Sequence, residues 1–460
     1  MAAGGGGVAR RLGPLVGVAL AIAAGAALRL IFPTDIEWKA DEQWSYLHAA
    51  QMLRTGAWPP VGMPSSVGAP NPGLSLWVFA GLDRLFDVRS PPDLARAVAM
   101  LNIAALVAFA AFAVTRKNRE PWLWAVALWA VNPVAIILER KIWPPSTLPL
   151  AAVALYWAWT LRRRWPAAFV WGALGALMAQ VHMGVALLAL ALAAWTFASD
   201  GRAFPWRAWL AGSLAGVLPA IPWLLAMAGH GAGARIHLTA PSVSFYMRWA
   251  TQFLGYGAQY TLGKAGFADF LAGPRIAGLA THLLGALQAV LIILAIVALV
   301  RGARTLVGKG GALPVRTLLL GDSDETVLIT AALWGYGGLL TLTTFVGAGS
   351  YRHYMIVITP IMALWTAMAV LWSDGGWKRG RARAILAALC VGQAALSLGL
   401  LDYLHREGGV RGEFGVSWRA QQPGYVAPDR QRRTGSATRS SASAPFSHAR
   451  NSGVCNRRSA

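Results

Sequence analysis

The sequence predicts an all-α integral membrane protein with about eleven transmembrane helices. Its 460 residues are 56% hydrophobic and only 13% charged, whereas a soluble globular protein carries about 25% charged residues. Apolar runs of about 20 residues, the length that crosses a hydrocarbon core of roughly 30 Å, recur along the whole chain. The basic residues between these runs gather in alternate loops, which is the pattern of a multi-pass membrane protein.

The apolar runs define the predicted spans. The first follows Arg10 and Arg11 and extends to Phe32 without a clear small-residue cleavage site, so we expect an uncleaved membrane helix rather than a signal peptide. The stretch 166–199 is too long for one span, and we divide it near Gly184. The predicted spans are residues 11–32, 94–115, 121–138, 146–161, 166–181, 183–199, 207–228, 278–300, 326–347, 353–372 and 383–402.

Lysine and arginine give the predicted orientation. With the N-terminus in the cytoplasm, every strongly basic loop falls on the cytoplasmic side, as the positive-inside rule requires. These loops contain Arg116, Lys117, Arg119, Arg162, Arg163, Arg164, Arg202, Arg207, Arg301, Arg304, Lys309, Arg316, Lys378, Arg379, Arg381 and Arg383. We therefore predict a multi-pass protein of the plasma (inner) membrane whose active side is extracytoplasmic.

The net charge of +22 does not indicate nucleic-acid binding. Much of it lies in those short loops, and neither a continuous basic face nor zinc-finger spacing is present. The two cysteines, Cys390 and Cys455, suggest neither a disulfide framework nor a metal cluster. Membrane lipids are therefore the partners that the charge predicts, and nucleic acid is excluded.

Residues 1–420 form the predicted membrane domain, with two large outer loops. The loop 33–93 is long and acidic, and helical spacing in 41–55 and an apolar stretch in 74–86 predict two helices lying at the membrane interface. The loop 229–277 is rich in aromatic residues and glycine, a composition suited to sugar faces. Residues 421–460 are rich in serine and arginine and poor in apolar residues, which predicts a disordered tail.

Four carboxylates crowd the start of the first outer loop. Asp35, Glu37, Asp41 and Glu42 lie within eight positions just outside the first span. Crowding beside a low-dielectric boundary raises the pKa of some members and suits a general base. The alternative is helix capping, because Asp41 and Glu42 open a helix, where acids favour the positive end of the dipole.

The same segment resembles the first outer loop of the GT-C superfamily glycosyltransferases, which include protein O-mannosyltransferases and the aminoarabinose transferases of lipid A. The resemblance rests on Asp41-Glu42, Tyr46 and the stretch 49–59, then on the segment around Asn71-Pro72. It implies a GT-C-like fold with juxtamembrane helices, an acidic residue at 41–42 as catalytic base or substrate-orienting group, and a polyprenyl-phosphate sugar donor.

A second match to that family is Tyr351-Arg352-His353-Tyr354 followed by Pro360. Arg352 at the membrane surface is a candidate bidentate clamp for the donor phosphate; the alternative is a snorkelling arginine in an aromatic belt. Arg140 and Lys141, at the outer end of the third span, are further candidates for the phosphate, or else local ion-pair partners of Glu139.

Weaker substrate-binding candidates are Tyr46, His182, His353 and Tyr354. A lone histidine such as His182 is more often a structural hydrogen-bonding residue than a metal ligand, and neither His48 nor His353 provides zincin-like spacing. We predict no cofactor and no obligatory metal, although a divalent ion remains an alternative.

The leading hypothesis is a membrane glycosyltransferase that moves a sugar from a polyprenyl-phosphate donor to a glycan, lipid or protein acceptor, with Asp41 as base. One alternative is a transporter or flippase for lipid-linked glycans, which would need charges along a path through the midplane. The charges of this chain instead gather at span ends. The other alternative is a catalytically inactive relative.

Overall fold

The computed structural model describes residues 5–64, 70–228, 256–308, 319–345, 351–371 and 379–425, together with Val243, Tyr246 and Trp249. Most of the predicted loop 229–277 and the tail beyond residue 425 therefore lie outside the described residues. The helices are α1 (Gly5–Leu30), α2 (Ala40–Thr55), α3 (Leu74–Phe86), α4 (Pro91–Val114), α5 (Arg119–Val131), α6 (Pro133–Leu138), α7 (Pro149–Thr160), α8 (Trp165–Val181), α9 (Val185–Asp200), α10 (Trp206–Val217), α11 (Ile221–Ala228), α12 (Ala258–Ala272), α13 (Leu283–Gly308), α14 (Asp324–Thr330), α15 (Gly337–Phe345), α16 (Thr359–Leu371) and α17 (Arg379–Glu407).

The prediction of an all-α, multi-pass membrane protein is confirmed. Six helical segments of the described chain are long and apolar enough to cross a membrane, and α1, α8 and α16 contain shorter apolar stretches. A two-stranded antiparallel hairpin, β1 (Arg275–Ile276) with β2 (Leu279–Ala280), adds a small element that the sequence pattern did not predict. The number of spans, eleven, remains a prediction.

Prolines break two of the predicted spans. The segment 121–138 is divided at Asn132, whose side-chain oxygen accepts hydrogen bonds from the amides of Val134 and Ala135 and so begins α6 at Pro133. The segment 207–228 is interrupted by a turn at Leu218–Ala220, which contains Pro219. The predicted span 353–372 begins as an α-helix only at Thr359, because Arg352–Met355 form a 3₁₀ turn before α16.

The core surrounds α5, which packs against α1, α4, α16 and α17. Its tryptophans Trp122 and Trp129 are almost completely buried, together with Trp159 and Trp171 of neighbouring helices. Helices α8 and α10 approach each other so closely that only glycine fits at position 212, since a Cβ there would lie 1.9 Å from the carbonyl oxygen of Phe169. Small residues permit this backbone contact, as they do between membrane helices generally.

A second apolar cluster supports the first outer loop. Helices α2 and α3 pack on each other and on the start of α4, and they bury Met52, Leu76, Phe79 and Val98. Both helices lie where the sequence predicted them: the predictions were 41–55 and 74–86, and the helices are Ala40–Thr55 and Leu74–Phe86. They form a platform outside the main core and fix the position of the acidic residues that precede and begin α2.

Ion pairs join several of the predicted cytoplasmic loops, as between Arg116 and Glu325. Arg162 forms ion pairs with Asp200 and Asp324, and Arg379 and Arg383 share Glu120. The acidic loop, Lys141, Arg352 and the segment that follows α17 gather elsewhere, around a cavity. The grouping agrees with a single-sided arrangement of the basic loops; which side faces the cytoplasm remains a prediction.

The chain after α17 returns to the first outer loop; we call residues 408–425 the C-terminal strap. Its Trp418 and Arg419 amides donate to the carbonyls of Ile36 and Thr34 at 2.9 and 3.2 Å. The side chain of Gln421 donates to the carbonyl of Trp38 at 2.7 Å. Ordered contacts therefore continue past the predicted start of the tail at residue 421.

Candidate active site

A cavity of about 470 Å³ lies between the first outer loop, the ends of α6 and α8, the turn before α16 and the C-terminal strap. One part of its wall is apolar and includes Ile137, Leu138, Val181 and Leu187. The charged and aromatic side chains of the wall are Glu37, Lys39, Asp41, Lys141, Trp143, His182, Tyr351, Arg352, His353, Tyr354, Glu413 and Phe414. An apolar wall beside a charged one suits an amphiphilic ligand with an anionic group.

Asp41 differs from Asp35, Glu37 and Glu42 in having no ion-pair or hydrogen-bond partner for its side chain among the described residues. It is exposed and borders the cavity at the start of α2. Asp35, by contrast, is buried and binds both Arg419 and His405, at 2.6 and 2.5 Å. Of the four clustered acids, Asp41 is therefore the one that borders the cavity without a cation already bound to it.

Glu37 and Glu42 share the ammonium of Lys141. Lys141 Nζ lies 3.0 Å from Glu37 Oε2 and 3.2 Å from Glu42 Oε1, and Lys39 also pairs with Glu37. The pKa of Glu42 is raised to about 7: burial is the largest cause, Lys141 opposes the rise, and Glu37 adds to it. Burial opposes the charged form of Lys141, but the two carboxylates outweigh it and raise the lysine pKa. Glu42 does not line the cavity; it lies behind Lys141 and holds it in place.

Replacing Glu42 with glutamine should flatten the pH dependence of stability. Because the pKa of Glu42 rises from 4.5 to about 7 on folding, the unfolded chain releases this proton first as the pH increases. The wild type should therefore lose stability between about pH 4.5 and 7, by an amount on the order of 1–3 kcal/mol. Glu42→Gln cannot ionise and should gain in melting temperature relative to the wild type across this window. Thermal unfolding of both proteins in detergent at pH 5 and pH 8 measures this difference. The same change in melting temperature for both proteins between the two pH values would contradict the raised pKa of Glu42.

The three charged residues after α6 point in different directions. The fully buried carboxylate of Glu139 binds Arg29 of α1 at 2.6 Å and the indole of Trp129 at 2.8 Å. Arg140 donates to the backbone carbonyls of Leu28 and Phe32, at 3.3 and 2.8 Å, and does not line the cavity. Of the two cations predicted at this position, the structure brings only Lys141 to the cavity wall.

Arg352 borders the same cavity and is buried, with 5% of its surface exposed. Its Nη2 donates to Thr261 Oγ1 at 2.9 Å, and its Nη1 forms an ion pair with Glu413 Oε2 at 3.1 Å. A buried guanidinium that borders a cavity fits a phosphate clamp better than a snorkelling arginine, whose head group would extend into water.

Aromatic and imidazole rings form a continuous wall beside these charges. His353 lies 4.4 Å from Trp143, 4.9 Å from His182 and 4.7 Å from Tyr354, measured between ring centroids. Burial lowers the pKa of His182 to about 4 and that of His353 well below its usual range, with His182, Lys141 and Arg352 adding to the second shift. Both rings are therefore neutral near pH 7 and can exchange hydrogen bonds with hydroxyl groups.

Tyr46, the other weak candidate, packs against Trp38 in the platform and does not line the cavity. Sequence reasoning assigned no role to Lys39, Thr261 or Glu413, all of which do line it. The signal for Glu413 was its place between Gly412 and Phe414, shortly after the last predicted span.

Metal independence remains a prediction. Within the part of the chain that the structure describes, no group of three or more His, Cys, Asp and Glu side chains is arranged to hold a metal ion. His182 and His353 lie close to each other, but their neighbours are Tyr354, Trp143, Lys141 and Arg352, and none of these is a carboxylate that could complete a metal site.

No family model and no curated protein matches the sequence. Among solved structures, the chain is similar to that of ArnT from Cupriavidus metallidurans bound to undecaprenyl phosphate, with 12% identity and a TM-score of 0.48 over 87% of this chain and 77% of that one. It is also similar to ArnT from the same organism in the apo state, with 14% identity and a TM-score of 0.39 over 83% of this chain and 77% of that one. Neither similarity is close enough to carry a residue role or a substrate over to this chain.

Proposed function

We propose that this protein is a GT-C-like membrane glycosyltransferase that takes a sugar from a polyprenyl-phosphate donor and transfers it on the extracytoplasmic face. The observation that carries the proposal is the convergence of Asp41, Lys141 and Arg352 on one cavity that also has an apolar wall. The polyprenyl chain lies against the apolar side, and the phosphate lies beside the cations.

Arg352 and Lys141 bind the donor phosphate, and the neutral rings of His182, His353 and Tyr354 contact the sugar. Asp41 accepts the proton of the acceptor hydroxyl as the oxygen attacks the anomeric carbon. The new carbon–oxygen bond forms while the bond to the phosphate oxygen breaks, with inversion at that carbon. The phosphate leaves with the bonding electron pair, so its negative charge is stabilised by the guanidinium and the ammonium.

Arg352 should control donor affinity. Membranes that contain the protein are supplied with polyprenyl-phosphate sugars, and transfer to endogenous glycan, lipid or protein acceptors is followed. Arg352→Gln should raise the KM for the donor by about 10-fold or more, because a hydrogen bond to a charged group is worth about 1.5–3 kcal/mol. The matched control is Arg89→Gln, an exposed arginine of the same outer region that pairs with Asp87; its KM should equal that of the wild type.

The same assay separates the proposal from its alternatives. A labelled lipid-linked sugar that crosses proteoliposomes without sugar transfer would indicate a transporter. Donor binding that depends on Arg352 without any transfer to the acceptors tested would indicate an inactive relative. An unchanged donor KM in Arg352→Gln would contradict the assignment of the phosphate position.

A further inference from the structure

The strap brings one carboxylate, Glu413, to the guanidinium that we assign to the donor phosphate. The amides of Glu413 and Phe414 donate to the carbonyls of Tyr260 and Thr261, at 3.0 and 3.1 Å. The carbonyl of Glu413 accepts a hydrogen bond from Lys39 Nζ. Three backbone contacts therefore fix the position of Glu413, and they do not depend on its side chain.

The side chain of Glu413 is bound less firmly than its backbone. Its carboxylate reaches Arg352 Nη1 at 3.1 Å, yet the side chain remains 47% exposed. Arg352 is also held through Nη2 by Thr261, which is itself buried. The guanidinium can therefore keep its position when the carboxylate rotates away, and the carboxylate can rotate without displacing the strap.

The charges of the cavity wall show how the ion pair between Glu413 and Arg352 affects the binding of a phosphate. In the part of the chain that the structure describes, the wall has three carboxylates (Glu37, Asp41 and Glu413) and three cations (Lys39, Lys141 and Arg352). A phosphate that approaches Arg352 meets the carboxylate of Glu413 on the same guanidinium. The Glu413 carboxylate and a phosphate that approaches the same nitrogen, Nη1, would repel each other in this partly buried site, so a phosphate bound there favours displacement of the carboxylate.

We propose that Glu413 is a specificity-determining residue that occupies the phosphate position of Arg352 in the empty enzyme and is displaced by the donor phosphate. The inference rests on the proposed function. Displacement requires a ligand that gains more from the site than the Glu413 carboxylate does: a phosphate that contacts both Arg352 and Lys141 meets this requirement, whereas an anion that contacts Arg352 alone does not. After transfer, the return of Glu413 to Arg352 competes with the polyprenyl phosphate and assists its release.

A purely structural role for Glu413 predicts the opposite result. If the carboxylate served to orient Arg352, its removal would weaken phosphate binding. If it competes with the phosphate, its removal strengthens binding. The two roles therefore differ in the sign of one measured change.

The test measures binding of a short-chain polyprenyl phosphate, without sugar, to the full-length protein in detergent by tryptophan fluorescence. Glu413→Gln keeps the size of the side chain and removes its charge, and it should lower the Kd by roughly 2- to 5-fold, the range expected for a half-exposed competing ion pair. Glu413→Ala, which leaves the three backbone contacts in place, should change the Kd in the same direction. Asp402→Asn, which removes an exposed carboxylate paired with Arg406 on α17, should leave the Kd unchanged.

An equal or higher Kd in both Glu413 variants, with a wild-type melting temperature, would overturn the proposal. The failure of the proposed function has a different signature. In that case the wild type would bind the polyprenyl phosphate no better than Arg352→Gln does. When Arg352→Gln loses binding and the Glu413 variants do not gain it, the phosphate position holds and only the competition is wrong.

Discussion

Replacing Asp41 with asparagine should lower the rate of sugar transfer by about 10²- to 10⁴-fold, the usual contribution of a positioned general base. Asp41 borders the cavity, is exposed, and has no side-chain partner among the described residues. The amide of asparagine keeps the size and polarity of the side chain but cannot accept a proton at neutral pH. The loss should therefore appear in kcat, with little change in the KM for the donor.

Two measurements accompany this variant. The binding of a short-chain polyprenyl phosphate should equal that of the wild type, because Arg352 and Lys141 are unchanged. Asp83→Asn removes a partly exposed carboxylate of the same outer loop, on α3 and outside the cavity wall, and it should retain full activity. Full activity in Asp41→Asn itself would exclude Asp41 as the base.

The largest effect on stability should follow removal of Glu139. Its carboxylate binds Arg29 through Nε and Nη2, at 2.8 and 2.6 Å, and both side chains are completely buried. The remaining guanidinium nitrogen of Arg29 donates to the carbonyls of Gly25 and Ala130. Glu139→Ala leaves that cation buried and unpaired, which should cost about 3–5 kcal/mol of unfolding free energy.

The double variant Arg29→Met/Glu139→Met should lose less stability than Glu139→Ala, because apolar side chains of similar length leave no uncompensated charge. Unfolding in detergent with increasing denaturant gives the free energies, and an exposed pair, Asp402 with Arg406, is the control. A loss for Glu139→Ala as small as that for Asp402→Ala would show that the buried pair does not anchor α1 to α5 and α6.

The elements that local sequence patterns specify were predicted well. The structure places helices on the predicted apolar runs, since a span is defined by its own composition, although some helix ends differ from the predicted ones by up to eight residues, as at Gly308. Helical spacing in 41–55 predicted α2, and the apolar stretch Leu74–Phe86 predicted α3 to the residue. Boundaries failed where a proline or a capping side chain intervened, as at Asn132, because the hydropathy of the flanking residues does not change there.

The candidate site was predicted in part for the same reason. Asp41, Lys141, His182, His353, Tyr354 and Arg352 were chosen from the family resemblance and from their place near span ends, and they line one cavity. Arg140 was also chosen for its place near a span end, yet it binds the carbonyls of Leu28 and Phe32 instead. Neighbours in a turn point in different directions, and the sequence does not specify which of them faces a cavity.

By itself, the sequence determined that the chain is a multi-pass membrane protein, which of its loops are basic, and that α2 begins with acidic residues. These features follow from hydropathy, charge and helical spacing, which are properties of short stretches of sequence. Only the tertiary structure decided how the charges are paired. Glu139 lies next to Arg140 in the chain but binds Arg29, and Glu413 binds Arg352 across more than sixty residues. These pairs depend on how the helices cross, since an ion pair requires atoms within about 4 Å, whatever their separation in sequence. The same dependence leaves Asp41 without a cation partner among the described residues, and Asp41 is the residue on which the proposed chemistry rests.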